Sequence, residues 1–188
     1  AEIDDAETEA SSGRDMASGL LKVTSTFAFG CRWLAPILKE FQEAHPELLV
    51  HLDTDDGVVN IVEEGYDLAV RFGALSDSSL IARQIAPNRR VICASPTYLD
   101  RRGRPMAIDD LPGHDVIAFG EPPNTHWVFA DGRSANVRSK LTTNNGELAH
   151  RWALAGAGLV LKSIWDVRDD IDSGKLEIVL PEARLAAA

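Results

Sequence analysis

A chain of 188 residues with 45% hydrophobic and 26% charged side chains is long enough to bury a core, as one domain or as two small lobes. Its formal net charge of −10 and pI near 4.9 argue against this chain alone gripping nucleic acid or an anionic membrane, because backbone binding needs clustered Lys and Arg. No apolar run approaches the roughly 18 residues of a membrane span; no secretory signal is visible, and Cys31 and Cys93 make neither a disulfide framework nor a metal spacing, so the cytoplasm is the simpler location.

Residues 1–18 read as a linker or tail. They carry six acids against Arg14 and few apolar side chains beyond Ile3 and Met16, too little to bury. The next stretch, LLKVTSTFAFGCRWLAPILKEFQEAHP at residues 20–46, organises the rest. A short apolar strand enters a Thr/Ser/Thr turn, and after Gly30 the apolar spacing becomes helical, with Trp33, Leu34, Ile37, Leu38 and Phe41 on one stripe. Pro36 is tolerated only near a helix start, so the helix is expected to begin between Ala28 and Arg32 or to kink there. Such a strand end aims hydroxyls and free helix N–H groups at one spot, where α/β sheets hold ligands.

Residues 48–54 alternate as a strand, and Asp55, Asp56 and Gly57 turn the chain. Val58, Val59, Ile61 and Val62 predict a short helix ending at Gly65, and residues 67–71 a buried parallel strand. This β-α-β-α-β order is doubly wound. Residues 72–79 read as a loop, and 80–85 and 90–94 as two further strands. Ser95 and Pro96 start a helix over 96–102. A second α/β unit follows: a strand at 116–119, a hairpin of 126–130 and 134–137 around Asp131 and Gly132, and a strand at 141–143. A helix at 146–155 stops on Gly156-Ala157-Gly158; a strand at 159–161, a helix at 164–171 and a strand at 176–180 complete the pattern.

Catalytic constellations are missing from the pattern. His45, His51, His114, His126 and His150 have no metal-ligand spacing, and no G-x-S-x-G, Walker A or strand-borne G-x-G-x-x-G occurs. Cys31 lies near a helix start but has no second Cys or His near it in sequence; the pairs Asp109–Asp110 and Asp169–Asp170 suit turns and solvated faces. No catalytic residue, cofactor or metal is assigned.

The runs GLLKVTSTFAFGCRWLAPILKEFQEAHPEL, VVNIVEEGYDLAVRFGALSDSSLIARQIAPNRRVICASPTYL, LTTNNGELAHRWALAGAGLVLKSIWDV and SGKLEIVLP resemble the effector-binding domain of LysR-type transcriptional regulators over about residues 18–181. The resemblance implies an α/β fold of two Rossmann-like lobes, periplasmic-binding-protein-like, with a small effector in the interlobe cleft. Lobe I is expected at 19–94 and lobe II at 95–181. After LEIVLPE the sequence ARLAAA lacks the returning strand and helix of the family, so 182–188 reads as a truncated or non-native tail. Promoter DNA would be reached only through a winged helix-turn-helix absent from these residues, and two such domains would pair as a homo-oligomer, the helix at 30–44 meeting that at 146–155 of the partner.

By the same resemblance Thr26, Phe27, Ala28 and Phe29 line the effector site. Ala28 replaces a frequent Ser or Thr, leaving more to Thr26. Thr54 and Asp55 end the second strand; Asp55 is a ligand-facing acid or a turn former. Arg71 and Gly73 end the third strand, Arg71 serving as the effector's charge partner or pairing with Asp55. Trp127, Asn144 and Asn145 could close from lobe II, against packing for Trp127 and turn formation for the Asn pair. The alternative reading is a stand-alone periplasmic-type solute-binding protein.

Overall fold

A computed structural model describes residues 17–73 and 80–186. Most of the expected linker (1–16), part of the expected loop (74–79) and the last two residues lie outside the described residues. The chain divides into two compact units, one ending at Arg71 and one beginning at Phe72.

In the first unit β1 (Gly19–Ser25) leads into a helical segment unbroken from Phe27 to Ala44. It comprises α1 (Phe27–Phe29), a π-helical turn (Gly30–Leu34) and α2 (Ala35–Ala44). The π turn explains how Pro36 is accommodated. Proline lacks an N–H and crowds the carbonyl four residues back, and the wider turn immediately before it takes up the misfit. β2 (Leu48–Thr54) and β3 (Leu68–Val70) flank β1 on either side, both parallel to it, with Ser25 level with Thr54 and Val70. Parallel pairing needs a crossover, which the long helix supplies between β1 and β2.

The expected helix over 58–65 is replaced by a hydrogen-bonded turn at 61–65. Asn60 accepts from the Glu63 N–H through its side chain, Glu64 reaches back to the Asn60 N–H, and Gly65 closes the turn at φ +68°. A capping residue at one end and a left-handed glycine at the other leave room for one turn only. The expected strand at 80–85 is also absent; Ile81 and Ile85 are exposed, and no described strand pairs with it.

The second unit is built on five strands in the order β10-β4-β9-β5-β8: β4 (Arg90–Ala94), β5 (Asp115–Phe119), β8 (Arg138–Thr143), β9 (Leu159–Ser163) and β10 (Glu177–Val179). β5 runs parallel to β8 and β9, while β4 is antiparallel to β9 and β10. Residues 90–94, expected in the first lobe, therefore belong to the second sheet. Both faces of the central strands are covered, which is why 91–94 of β4, 116–119 of β5 and 159–161 of β9 are continuous apolar runs. Ile92, Ala94, Leu159 and Leu161 join one core with Tyr98, Leu99, Leu111, Trp127 and Phe129. Val91, Cys93 and Val160 join the other with Ala149, Ala153 and Val167. Burial pushes the Cys93 thiol up to about 12, so it packs as a small hydrophobe.

The helices follow their sequence signals. α3 (Pro96–Arg102) is capped by the Ser95 hydroxyl, α4 (Gly146–Leu154) by Asn145, and α5 (Ile164–Asp172) by Ser163. A 3₁₀ turn (Ile108–Gly113) lies between α3 and β5. The short strands β6 (His126–Val128) and β7 (Ser134–Asn136) form the expected hairpin, with Gly132 at φ +85°. The segment expected to be a tail is engaged up to residue 186: the Ala130 N–H donates to the Arg184 carbonyl, the Ala186 N–H to the Val128 carbonyl, and Leu185 bridges Phe129.

Gly158 shows why the Gly-Ala-Gly stop is needed. A Cβ there would stand 2.5 Å from the Asp115 carbonyl oxygen, a backbone atom that cannot swing away. Gly158→Ala is expected to destabilise the second unit by about 1–3 kcal/mol through overpacking, read as a lowered urea midpoint; an unchanged midpoint would show that β5 gives way freely.

Candidate functional site at the strand ends of the first unit

The C-terminal end of β1 gathers the polar groups of the first unit. Ser25 is fully buried and Thr26 stands at the N-cap position in extended conformation, yet neither hydroxyl has a hydrogen-bond partner among the described residues. A buried hydroxyl without a partner costs free energy, so two adjacent ones at a strand end make it the candidate site. Gly30 lets the helix approach: a Cβ on it would lie 2.7 Å from Thr54 Cγ2 and 3.8 Å from Ser25 Oγ.

The 55–57 turn lies against the same strand end. The Asp55 N–H donates to the Ser25 carbonyl at 2.9 Å, and the Asp55 carboxylate accepts from the Gly57 N–H at 2.6 Å. Asp55 is thus a turn former, one of the two roles its position allowed. The Asp56 carboxylate accepts from the Phe27 N–H at 2.9 Å and so occupies the first amide of the helix. Arg71 ties this turn down. Its guanidinium donates to the Asp55 carbonyl, to the Gly57 carbonyl at 3.2 Å and to Thr24 Oγ1 at 2.8 Å. Arg71 therefore engages the backbone of Asp55, where a carboxylate pair was the expected alternative.

A second cluster stiffens the opposite side of the turn region. Tyr66 donates its hydroxyl to Asp53 at 2.5 Å, Lys22 lies 4.4 Å over the Tyr66 ring, and the Lys22 ammonium donates to the Glu64 carbonyl at 2.7 Å. The Tyr66–Asp53 bond holds the Asp53 carboxyl below its ordinary value and pushes the Tyr66 phenol up to about 12. It pins the 61–66 turn to β2.

Of the residues expected to meet an effector, Thr26, Phe27, Thr54, Asp55 and Arg71 converge on this strand end, Phe27 through its backbone amide. Ala28 is buried at 6% exposure, and Phe29 is half-buried on the same turn. Gly73, at φ +118°, is exposed and belongs to the second unit. In that unit Trp127 is 2% exposed inside the core, so packing claims it rather than a ligand. Asn145 spends its side-chain oxygen on the Leu148 N–H at 2.8 Å as the cap of α4, and Asn144 reaches Glu121 at 3.5 Å. The residues that the sequence reading passed over are Ser25, inside the quoted Thr/Ser/Thr turn, and Thr24 and Asp56, whose roles depend on the register of β1 against β2. Among the described residues no cluster of three His, Cys, Asp or Glu side chains is arranged to hold a metal.

The chain as a whole has relatives among known proteins. The LysR substrate binding domain family matches residues 14–188. The chain is 37% identical over 179 residues to the HTH-type transcriptional regulator DmlR of Escherichia coli K12, covering 93% of this chain and 58% of that protein. It is 35% identical over 169 residues to the HTH-type transcriptional activator TtdR of the same strain, covering 87% and 54%. Among solved structures, CrgA, a LysR-type transcriptional regulator from Neisseria meningitidis, superposes with a TM-score of 0.82 at 32% identity, over 99% of this chain and 65% of that one. The CrgA regulatory domain alone gives 0.79 at 33% identity, over 89% and 84%. The chain thus spans a little over half the length of these curated relatives.

The two kinds of polar side chain at the strand end should respond differently to removal. Thr26→Ala loses no hydrogen bond and is expected to leave stability within about 0.5 kcal/mol. Arg71→Ala loses the bonds that hold the 55–57 turn and should cost roughly 1–3 kcal/mol. Urea unfolding of both variants checks this; equal losses would refute the assignment of Arg71 as the tie.

Proposed function

The chain belongs to the LysR substrate binding domain family, and on that premise we propose that it is the effector-binding regulatory domain of a LysR-type transcriptional regulator. Its role is to bind a small molecule and pass the occupancy on to a DNA-binding domain. The observation that carries the site is the pair of unpartnered hydroxyls of Ser25 and Thr26 beside Arg71 and the start of a helix. Hydroxyl donors, a guanidinium and strand ends suit a compact, oxygen-rich metabolite. Its relatives are transcriptional regulators, which does not favour the solute-binding reading and supports a ligand-binding rather than a catalytic task.

Promoter DNA is reached through a winged helix-turn-helix elsewhere in the whole protein, which acts in the cytoplasm and binds DNA as a homo-oligomer. Support for association of the regulatory domains comes from apolar side chains left open on two helices: Ile37 at 59% and Phe41 at 39% exposure on α2, and Leu148 at 39% on α4. A two-fold contact would use each such patch twice.

A thermal-shift screen of small acids, polyols and aromatic metabolites identifies the ligand, and calorimetry then tests the site. Thr26→Ala and Arg71→Ala are each expected to weaken binding by about 1–3 kcal/mol, the cost of leaving a buried polar group unpaired; unchanged affinity in both would move the site elsewhere. This chain alone should give no specific, salt-sensitive gel shift with a promoter fragment, because its net charge is −10. Such a shift would overturn the division of labour between the domains.

A further inference from the structure

The helix that begins at Phe27 and runs unbroken to Ala44 presents its first amide beside two unpartnered hydroxyls, but that amide is already taken. The Phe27 N–H donates to Asp56 Oδ1 at 2.9 Å. Asp56 is thereby a carboxylate in the place where a helix start favours an anion. Ser25 is fully buried, and its Oγ lies 3.8 Å from the Cβ position of Gly30 in the first turns of the same helix. The neighbouring acid cannot exchange roles with Asp56, since the Asp55 carboxylate closes on the Gly57 N–H.

Resting on the reading of this strand end as the effector site, we infer that Asp56 sets its charge selectivity. Its carboxylate fills the anion position on the Phe27 amide, and a ligand carboxylate enters only by displacing it. The ligand class is a small carboxylate with hydroxyl groups: one carboxylate oxygen replaces Asp56 on the amide, and the hydroxyls of Ser25 and Thr26 take the remaining polar atoms. Because Arg71 donates to the carbonyls on either side of Asp56, at Asp55 and Gly57, displacement of Asp56 strains the bonds that hold the turn. The acid is therefore an internal competitor whose release accompanies occupancy.

Asp56→Asn separates charge from shape, because the Asn side-chain oxygen still accepts from the Phe27 N–H and keeps the cap. The ¹⁵N-labelled chain and this variant are titrated with lactate and with propane-1,2-diol, its neutral counterpart, while the Phe27 amide resonance is followed. Lactate is expected to bind the variant about tenfold more tightly, the scale of removing one like charge a few ångströms away, and the diol equally to both. Equal lactate affinity in both proteins, or an equal gain for the diol, overturns the selectivity of Asp56. Ser25→Ala distinguishes this failure from that of the site itself. If it abolishes the lactate response at Phe27 while Asp56→Asn changes nothing, only the selectivity falls. If lactate leaves Phe27 undisturbed in every variant, the strand-end site falls and the inference with it.

Discussion

Arg71 is the tie on which the strand-end site depends. One planar guanidinium reaches the carbonyls of Asp55 and Gly57 and the hydroxyl of Thr24, joining the ends of β1 and β3 to the turn after β2. A lysine could not replace it, because a single ammonium cannot span carbonyls and a hydroxyl set apart in this way. The tie places Asp56 against the first amide of the helix, which leaves the Ser25 and Thr26 hydroxyls as the polar groups still to be satisfied. The group that orders the turn therefore also stands at the strand end that carries the two unpartnered hydroxyls.

The two units differ in how their sheets are covered. In the second, strands β4, β5 and β9 are apolar on successive residues because helices lie on one face while the β6–β7 hairpin and α3 close the other. Trp127 and Phe129, fully buried on the hairpin, supply much of that second face. In the first unit the described residues supply one long helical segment, Phe27 to Ala44, beside the three strands. Leu20, Leu49 and Leu68 remain exposed, as do Ile37 and Phe41 on α2.

Family, helix caps and turns were legible in the linear sequence because their signals are local. Ser95-Pro96, Asp131-Gly132 and the Gly156-Ala157-Gly158 stop each dictate backbone geometry within a few residues, and each lies where the pattern put it. The differences have separate causes. The apolar residues at 58–62 looked helical, but Asn60 and Gly65 bound a single turn. The apolar residues at 80–85 looked like a strand, but a strand needs an edge to pair with. Residues 90–94 form the expected strand and pair with β9 and β10, a pairing that apolar alternation does not encode because it carries no information about which strands will be neighbours.

By itself the sequence determined the α/β class, the dense LysR-type patterning, the helix that follows β1 and the approximate position of a polar strand end near Thr26 and Arg71. Those features follow from residue spacing, from capping chemistry and from the fixed conformations of Gly and Pro, all of which act over short separations. Only the tertiary structure decided which groups at that strand end are already spent and which are not. Asp55 and Asp56 are adjacent and chemically identical. Yet one closes a turn on Gly57 and the other caps Phe27, because the register of β1 against β2 brings residue 56 to the helix start. The same holds for Trp127, taken into the core by the packing of its hairpin, and for Ser25, buried without a partner. Burial and hydrogen-bond satisfaction are properties of residues far apart in the chain brought into contact, and no local pattern encodes them.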